Sequence, residues 1–232
     1  MRNLVLAGVL LGTAAVMWMA WRGRSPVAET REMAAPVVVR QPANIAKRTF
    51  DPANPPADMP PLSAGEAAQC VSDFLSNATV SGQTRRTDPT HATVTITQIH
   101  MTLQLNVSIW TPIGASQQVM EHEEGHRQIS EYYYQAADQL AARIASTYMG
   151  KQIEVSGEDS GSAASEALQQ AGAEITGEYN KELNPNPTQL LYDSITDHAR
   201  NGVVAQDAVD HALKNASVEA VQPIGADPTQ NR

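Results

Sequence analysis

Residues 101–135, MTLQLNVSIWTPIGASQQVMEHEEGHRQISEYYYQ, change period halfway along. Met101, Leu103, Leu105, Val107 and Ile109 alternate with polar residues. That is the period of two of a strand with one buried face. Just upstream, Val94 and Ile96 alternate with Thr93, Thr95 and Thr97. The apolar parity is even there and odd from Ile99 on, so a turn or bulge is expected near Gln98. Thr111-Pro112-Ile113-Gly114 ends the second run. Beyond it, Val119, His122, His126, Ile129, Tyr133, Ala136, Leu140 and Ile144 step by three and four. This spacing predicts one long helix over residues 115–149, closed by Gly150. A small antiparallel sheet packed on a long helix, with further helices around it, makes the chain α+β.

Working outward, Ser63 and Glu66 have capping-box spacing, which predicts a short helix over residues 67–75 with Cys70 as a small buried thiol. Downstream, residues 163–183 read as an Ala-rich helix. Asn184-Pro185-Asn186-Pro187 forces a turn, and Thr188 is placed to cap a third helical stretch. Gly202 interrupts that stretch before Val203 resumes it. The folded domain therefore spans residues 62–214, with a polar, disordered tail over residues 215–232. Residues 22–61 hold eight of the chain's 14 prolines, and are expected to be an extended, solvated tether. Residues 4–21 are uncharged and flanked by Arg2, Arg22 and Arg24. Residues 1–21 therefore read as a membrane anchor or signal segment. The flanking charges favour a cytoplasmic C-terminal part by the positive-inside rule.

The 232 residues carry a net charge of −9, which excludes a general nucleic-acid binder because phosphates need a basic footprint. A single cysteine excludes an intrachain disulfide framework and a Cys-only metal cage. Aromatic residues are 5%, so the core must be built mainly from aliphatic side chains, Met and Ala.

The chemistry lies in His122-Glu123-Glu124-Gly125-His126, an H-E-x-x-H motif. Histidines four apart lie on one helix face, so both imidazoles reach one Zn2+ ion. Glu123, beside the first ligand, is placed to act as general base. Both histidines fall on the apolar stripe, and burying two imidazoles beside a carboxylate is costly without a partner. A catalytic zinc needs a third protein ligand. The metzincin continuation is absent, because Ile129 and Tyr132 stand where its glycine and third histidine would be. Glu174, Glu178, His91, His100, His198 and His211 remain as candidates. Asp193 and Asp197 are suited to accept the second ring N–H of a ligating histidine. A tyrosine hydroxyl near the metal is suited to hold an oxyanion.

His122-Glu123-Glu124-Gly125-His126, followed by Tyr192-Asp193-Ser194-Ile195-Thr196-Asp197-His198, resembles the bacterial family of predicted secreted zinc-dependent proteases, catalogued as a domain of unknown function. The family pattern is H-E-x-G-H, then Y-D-x-x-T-x-H-G, and Ala199 replaces its last glycine. The likeness covers residues 94–202. It implies His198 as third ligand beside His122 and His126. It implies Tyr192, Asp193 and Thr196 in contact with the metal or in support of its ligands. We take Tyr192 as a catalytic residue with Glu123, and Asp193 and Thr196 as supporting ones.

The expected function is zinc-dependent peptide-bond hydrolysis of a peptide or protein substrate. The resemblance implies an extracytoplasmic domain, against the flanking charges: anchored to the inner membrane and facing the periplasm, or secreted if the N-terminal segment is cleaved. Two other readings stand beside it. One is a membrane-tethered helical interaction protein with a structural or vestigial metal site. The other is a zinc amidase acting on cell-wall peptides.

Overall fold

The structure is a computed structural model that describes residues 34–63 and 65–219. The expected anchor over residues 1–21 lies outside them. Among the described residues, no helix is long and apolar enough to cross a membrane. The chain is α+β: a five-stranded sheet with helices against it. In chain order the elements are β1 (Val37–Arg40), β2 (Asn44–Phe50), β3 (Gln69–Arg86), β4 (His91–Pro112), α1 (Gln117–Gln135), α2 (Ala137–Tyr148), β5 (Gln152–Ser156), α3 (Ser160–Glu182), α4 (Asn186–Thr196) and α5 (Ala205–Glu219).

Every strand pairs with β4. β3 and β5 run antiparallel to it, and β1 and β2 run parallel to it. The sheet is therefore mixed, not purely antiparallel. The two period-two runs are one strand, because the parity switch is absorbed by a bulge. Ser81 pairs with Gln98 and Gly82 with Ile96, which leaves Thr97 as the extra residue. Glycine is needed there: a Cβ on Gly82 would lie 2.6 Å from the Thr95 carbonyl oxygen. The bulge keeps Ile96, Ile99, Met101, Leu103 and Leu105 in one core, and Val94 is buried as well.

Four local expectations are corrected. Residues 69–75 are strand and not helix: Cys70, Ser72 and Phe74 alternate toward α1, where Ser72 Oγ lies 2.8 Å from Ser130 Oγ. The proline-rich stretch supplies β1 and β2. Pro36, Pro42 and Pro52 fall just outside these strands, where a missing N–H costs the ladder nothing. The long helix breaks at Ala136, whose ψ of 5° ends α1 before α2 begins. The supposed tail begins inside α5, which continues to Glu219. α2 packs Ala137, Ala141 and Ile144 beneath the sheet beside Ile175 and Tyr179 of α3. A second, smaller core joins Ile129 of α1 and Tyr192 of α4 to Ala208, Val209 and Ala212 of α5. That second core presses α4 onto the motif-bearing face of α1.

Candidate metal centre

Ser116 caps α1, its hydroxyl accepting from the Val119 N–H at 3.3 Å. Two turns in, His122, Glu123 and Gly125 are buried. α4 lies across this turn because residue 125 has no side chain. A Cβ there would sit 2.2 Å from the Tyr192 hydroxyl oxygen. Tyr192 is fully buried. It stacks on the His122 ring at 5.0 Å between centroids, and its hydroxyl donates to the His122 carbonyl at 3.1 Å.

This contact brings Asp193 to the two histidines. His122 Nε2 and His126 Nε2 are 3.2 Å apart, and Asp193 Oδ1 lies 3.4 Å and 2.9 Å from them. The hydrogen-bond network defines the tautomers. Gln189 Nε2 donates to the His126 carbonyl and to Ser130 Oγ at 3.1 and 3.0 Å. Its Oε1 therefore faces His126 Nδ1, at 2.6 Å, and can only accept. Thr196 Oγ1 donates to the Tyr192 carbonyl at 2.9 Å, so it accepts from His122 Nδ1 at 3.2 Å. Both Nδ1 atoms carry the proton, and both Nε2 lone pairs point at Asp193.

Three electron-pair donors thus converge with no proton between them. Asp193 Oδ1 is buried and lies off the line of any hydrogen-bond donor. One proton on His126 Nε2 would relieve one edge of the triangle and leave His122 unsatisfied. A cation at the centre satisfies all three. A tetrahedral ion with bonds of about 2.0–2.1 Å needs ligand atoms about 3.3 Å apart; two of the edges, 3.2 and 3.4 Å, match this, and the 2.9 Å edge from His126 to Asp193 is shorter. His122, His126 and Asp193 form a group that could hold a metal ion.

Without a metal, the three groups are coupled to one another electrostatically. Burial disfavours ionised Asp193, but the two imidazoles outweigh it and hold the carboxyl well below its usual range. Burial likewise opposes protonation of His126, yet Asp193 raises its pKa overall. Glu123 is 4% exposed. Burial first, then repulsion from Glu66 and Asp193, pushes its carboxyl up to about 7 against the pull of His126.

The site opens into a cleft of about 450 Å³ lined by Cys70, Ser72 and Phe74 of β3, by His122, Glu123 and His126, and by the turn from α3 to α4. The lining has no Lys or Arg.

The expected site residues sort as follows. His122, His126 and Glu123 meet as the motif requires. Asp193, expected behind the ligands, stands among them. Thr196 lies against His122, its Oγ1 3.2 Å from His122 Nδ1. Tyr192 is not aimed at the cleft: its hydroxyl is spent on the His122 carbonyl, so it is a pillar under the ligands and not an oxyanion donor. His198 is outside the three-residue group. Its Nδ1 is buried without a hydrogen bond, 3.7 Å from Asp193 Oδ1 and 3.6 Å from Glu66 Oε1. It follows the end of α4 on a left-handed hook, Asp197, His198 and Ala199, with φ of 47°, 50° and 65°. His100 is exposed on β4, and the remaining candidates are engaged elsewhere. Glu174 accepts from Gln170 and Glu178 from Tyr148. His91 sits in the Asp88 turn, and His211 lies against Asn215.

Sequence reasoning missed Gln189 and Glu66. Gln189 had a readable signal, since Gln189, Asp193 and Thr196 step by four and three along one face of α4. Glu66 had none, because only the fold returns Ser63, Glu66, Gln69 and Cys70 to the cleft.

Comparison with family models, curated proteins and solved structures finds no match to this chain.

Proposed function

We propose that the protein is a zinc-dependent peptidase. The observation that carries this reading is the convergence of His122 Nε2, His126 Nε2 and Asp193 Oδ1 beside the buried carboxyl of Glu123, at the floor of an open cleft. All-nitrogen and oxygen donors at tetrahedral spacing suit zinc. When bound, zinc supplies Lewis acidity toward a carbonyl oxygen and acidifies water.

The chain's own residues divide the remaining work. Gln189 and Thr196 hold the two imidazoles in the tautomer that offers Nε2. Tyr192 fixes the His122 ring and the helix turn that carries it. Glu123 lines the cleft beside the three donors, where its carboxylate is placed to accept a proton and return it to a leaving amine. His198 stands beside Asp193, where it would add a further nitrogen donor or contact a bound carbonyl. The likeness to secreted zinc-dependent proteases accords with this reading. The open cleft favours it over a closed structural metal site.

The test is metal content and proteolysis of unfolded casein by the purified protein, beside Glu123→Gln. The reading requires close to one zinc per chain in both, and hydrolysis in the parent only. A chain free of zinc, or a variant as active as the parent, refutes it. Location is tested by protease accessibility in intact against lysed spheroplasts. A domain cleaved only after lysis is not periplasmic.

A further inference from the structure

The ladder between β3 and β4 defines which backbone groups of β3 face away from its partner. The Ala78 N–H donates to Thr176 Oγ1 of α3 at 3.2 Å, so residue 78 points outward. On β4, the Leu103 carbonyl accepts from the Gln41 N–H at 2.9 Å, so residue 103 points away from β3. Leu103 is registered with Ser76. Outward-pointing residues alternate along an antiparallel strand, so Cys70, Ser72 and Phe74 also turn their N–H and C=O groups away from β4. α3 covers the edge near Ala78, where Gly172 lies over its carbonyl. Before that point no described residue pairs with the edge. Cys70, Ser72 and Phe74, with Gln69 at the start of β3, line the metal cleft. An uncovered edge is a template for another strand, and this one passes the buried Glu123.

At the start of β3 the cleft meets a second hollow of about 450 Å³, walled by Phe50, Pro52, Pro55, Met59, Pro61 and Leu62. Glu66 lines both cavities. Gln69 Nε2 donates to the Pro60 carbonyl at 2.7 Å, tying the wall to the strand. Apart from Glu66 the lining is apolar, and its prolines hold fixed φ angles, so the pocket keeps its shape when empty.

We propose that the cleft takes an extended polypeptide segment as an added strand on the free edge of β3, with one apolar side chain of that segment seated in the proline-walled pocket. This rests on the peptidase reading and names its substrate class: an unfolded protein segment with a large apolar residue near the scissile bond. From Cys70 to Phe74 the edge spans about 13 Å at about 3.3 Å per residue, room for about four residues of substrate. Glu66 borders both the cleft and the pocket, so one extended chain could engage both.

Binding is measured on the zinc-loaded full chain with tripeptide hydroxamates of both polarities. Each probe carries Phe at one of the three positions, or Ser at all three, with acetohydroxamate as reference. The hydroxamate anchors on the metal without turnover. We expect one Phe probe to bind at least tenfold tighter than the Ser probe. We expect it to slow amide exchange at Cys70, Ser72 and Phe74, while Val71 and Asp73 are slow with or without it. Met59→Glu should erase the Phe preference and leave metal content and acetohydroxamate affinity unchanged. Tripeptides that bind no better than acetohydroxamate, no Phe preference, or unprotected amides at 70, 72 and 74 would each overturn the proposal with the metal site intact. A chain that retains no zinc refutes the peptidase reading itself.

Discussion

Gly125→Ala tests the contact on which the site depends. By helix propensity alone the change should stabilise α1 by about 1 kcal/mol. The structure predicts the opposite. The new Cβ would lie 2.2 Å from Tyr192 Oη, 2.5 Å from Cζ and 3.1 Å from Cε1. Tyr192 has nowhere to go. It is fully buried, stacked on His122, edge-on to His126 at 4.9 Å, and packed with Ile129, Ala208, Val209 and Ala212. Overpacking a closed core costs about 1–3 kcal/mol, and a contact this short belongs at the upper end. Subtracting the propensity gain leaves a loss of about 2 kcal/mol. For a domain of this size, that lowers Tm by about 4–8 °C. Metal affinity should fall as well, because the displaced ring pushes on His122 and carries Asp193 away with α4. The assay is thermal unfolding with zinc titration, repeated in a Tyr192→Leu background. There the same Gly125→Ala step should be neutral or stabilising, because the phenol is gone. If Gly125→Ala is no less stable than the parent in the native background, the packing argument fails. Equal destabilisation in both backgrounds would remove Tyr192 as its cause.

Three further outcomes follow from the same geometry. Asp193→Asn should weaken zinc binding by more than about 100-fold and His198→Ala by less, read by competition with a chromogenic chelator; the reverse order would restore His198 as third ligand. Ala199→Gly should raise stability by about 1 kcal/mol, because a Cβ is strained at a φ of 65° and glycine is not; chemical denaturation measures it, and a loss would contradict the hook. Asp88 accepts from Thr90 and His91, and these hydrogen bonds hold its carboxyl well below the usual range. The turn's contribution is therefore present above the unfolded value of about 3.9 and lost as pH falls below it, so Asp88→Asn should flatten the acid limb of the stability curve.

The sheet's centre was legible in the sequence because β4 obeys one rule along its whole length. Burial of one face enforces period two, and even the bulge announced itself as a parity switch. Its neighbours were less legible because their constraints are tertiary. β1 and β2 are short, and most of their residues are exposed; pairing with β4 holds them where composition argued for a tether. Proline count misled where proline position was informative, since Pro36, Pro42 and Pro52 delimit the strands. At residues 69–75 a capping-box spacing competed with alternation, and the cross-strand ladder of β4 won. Ala136 has no glycine or proline to betray the break between α1 and α2.

The site follows the same division. The pair His122 and His126 was legible because a single helix turn defines both positions. The third member was not, because it depends on how far α4 sinks toward α1. Tyr192, Asp193, Thr196 and His198 occupy one short segment, and sequence order alone cannot say which of them reaches the histidines. Gly125 decides it. With no Cβ in the way, the Tyr192 ring fills the space over that turn and becomes the spacer between the helices. Asp193, next to it in the chain, is then delivered to 2.9 Å from His126, while His198 is carried past the end of α4. The glycine inside the motif, which weakens the helix that bears it, selects the aspartate as the third donor.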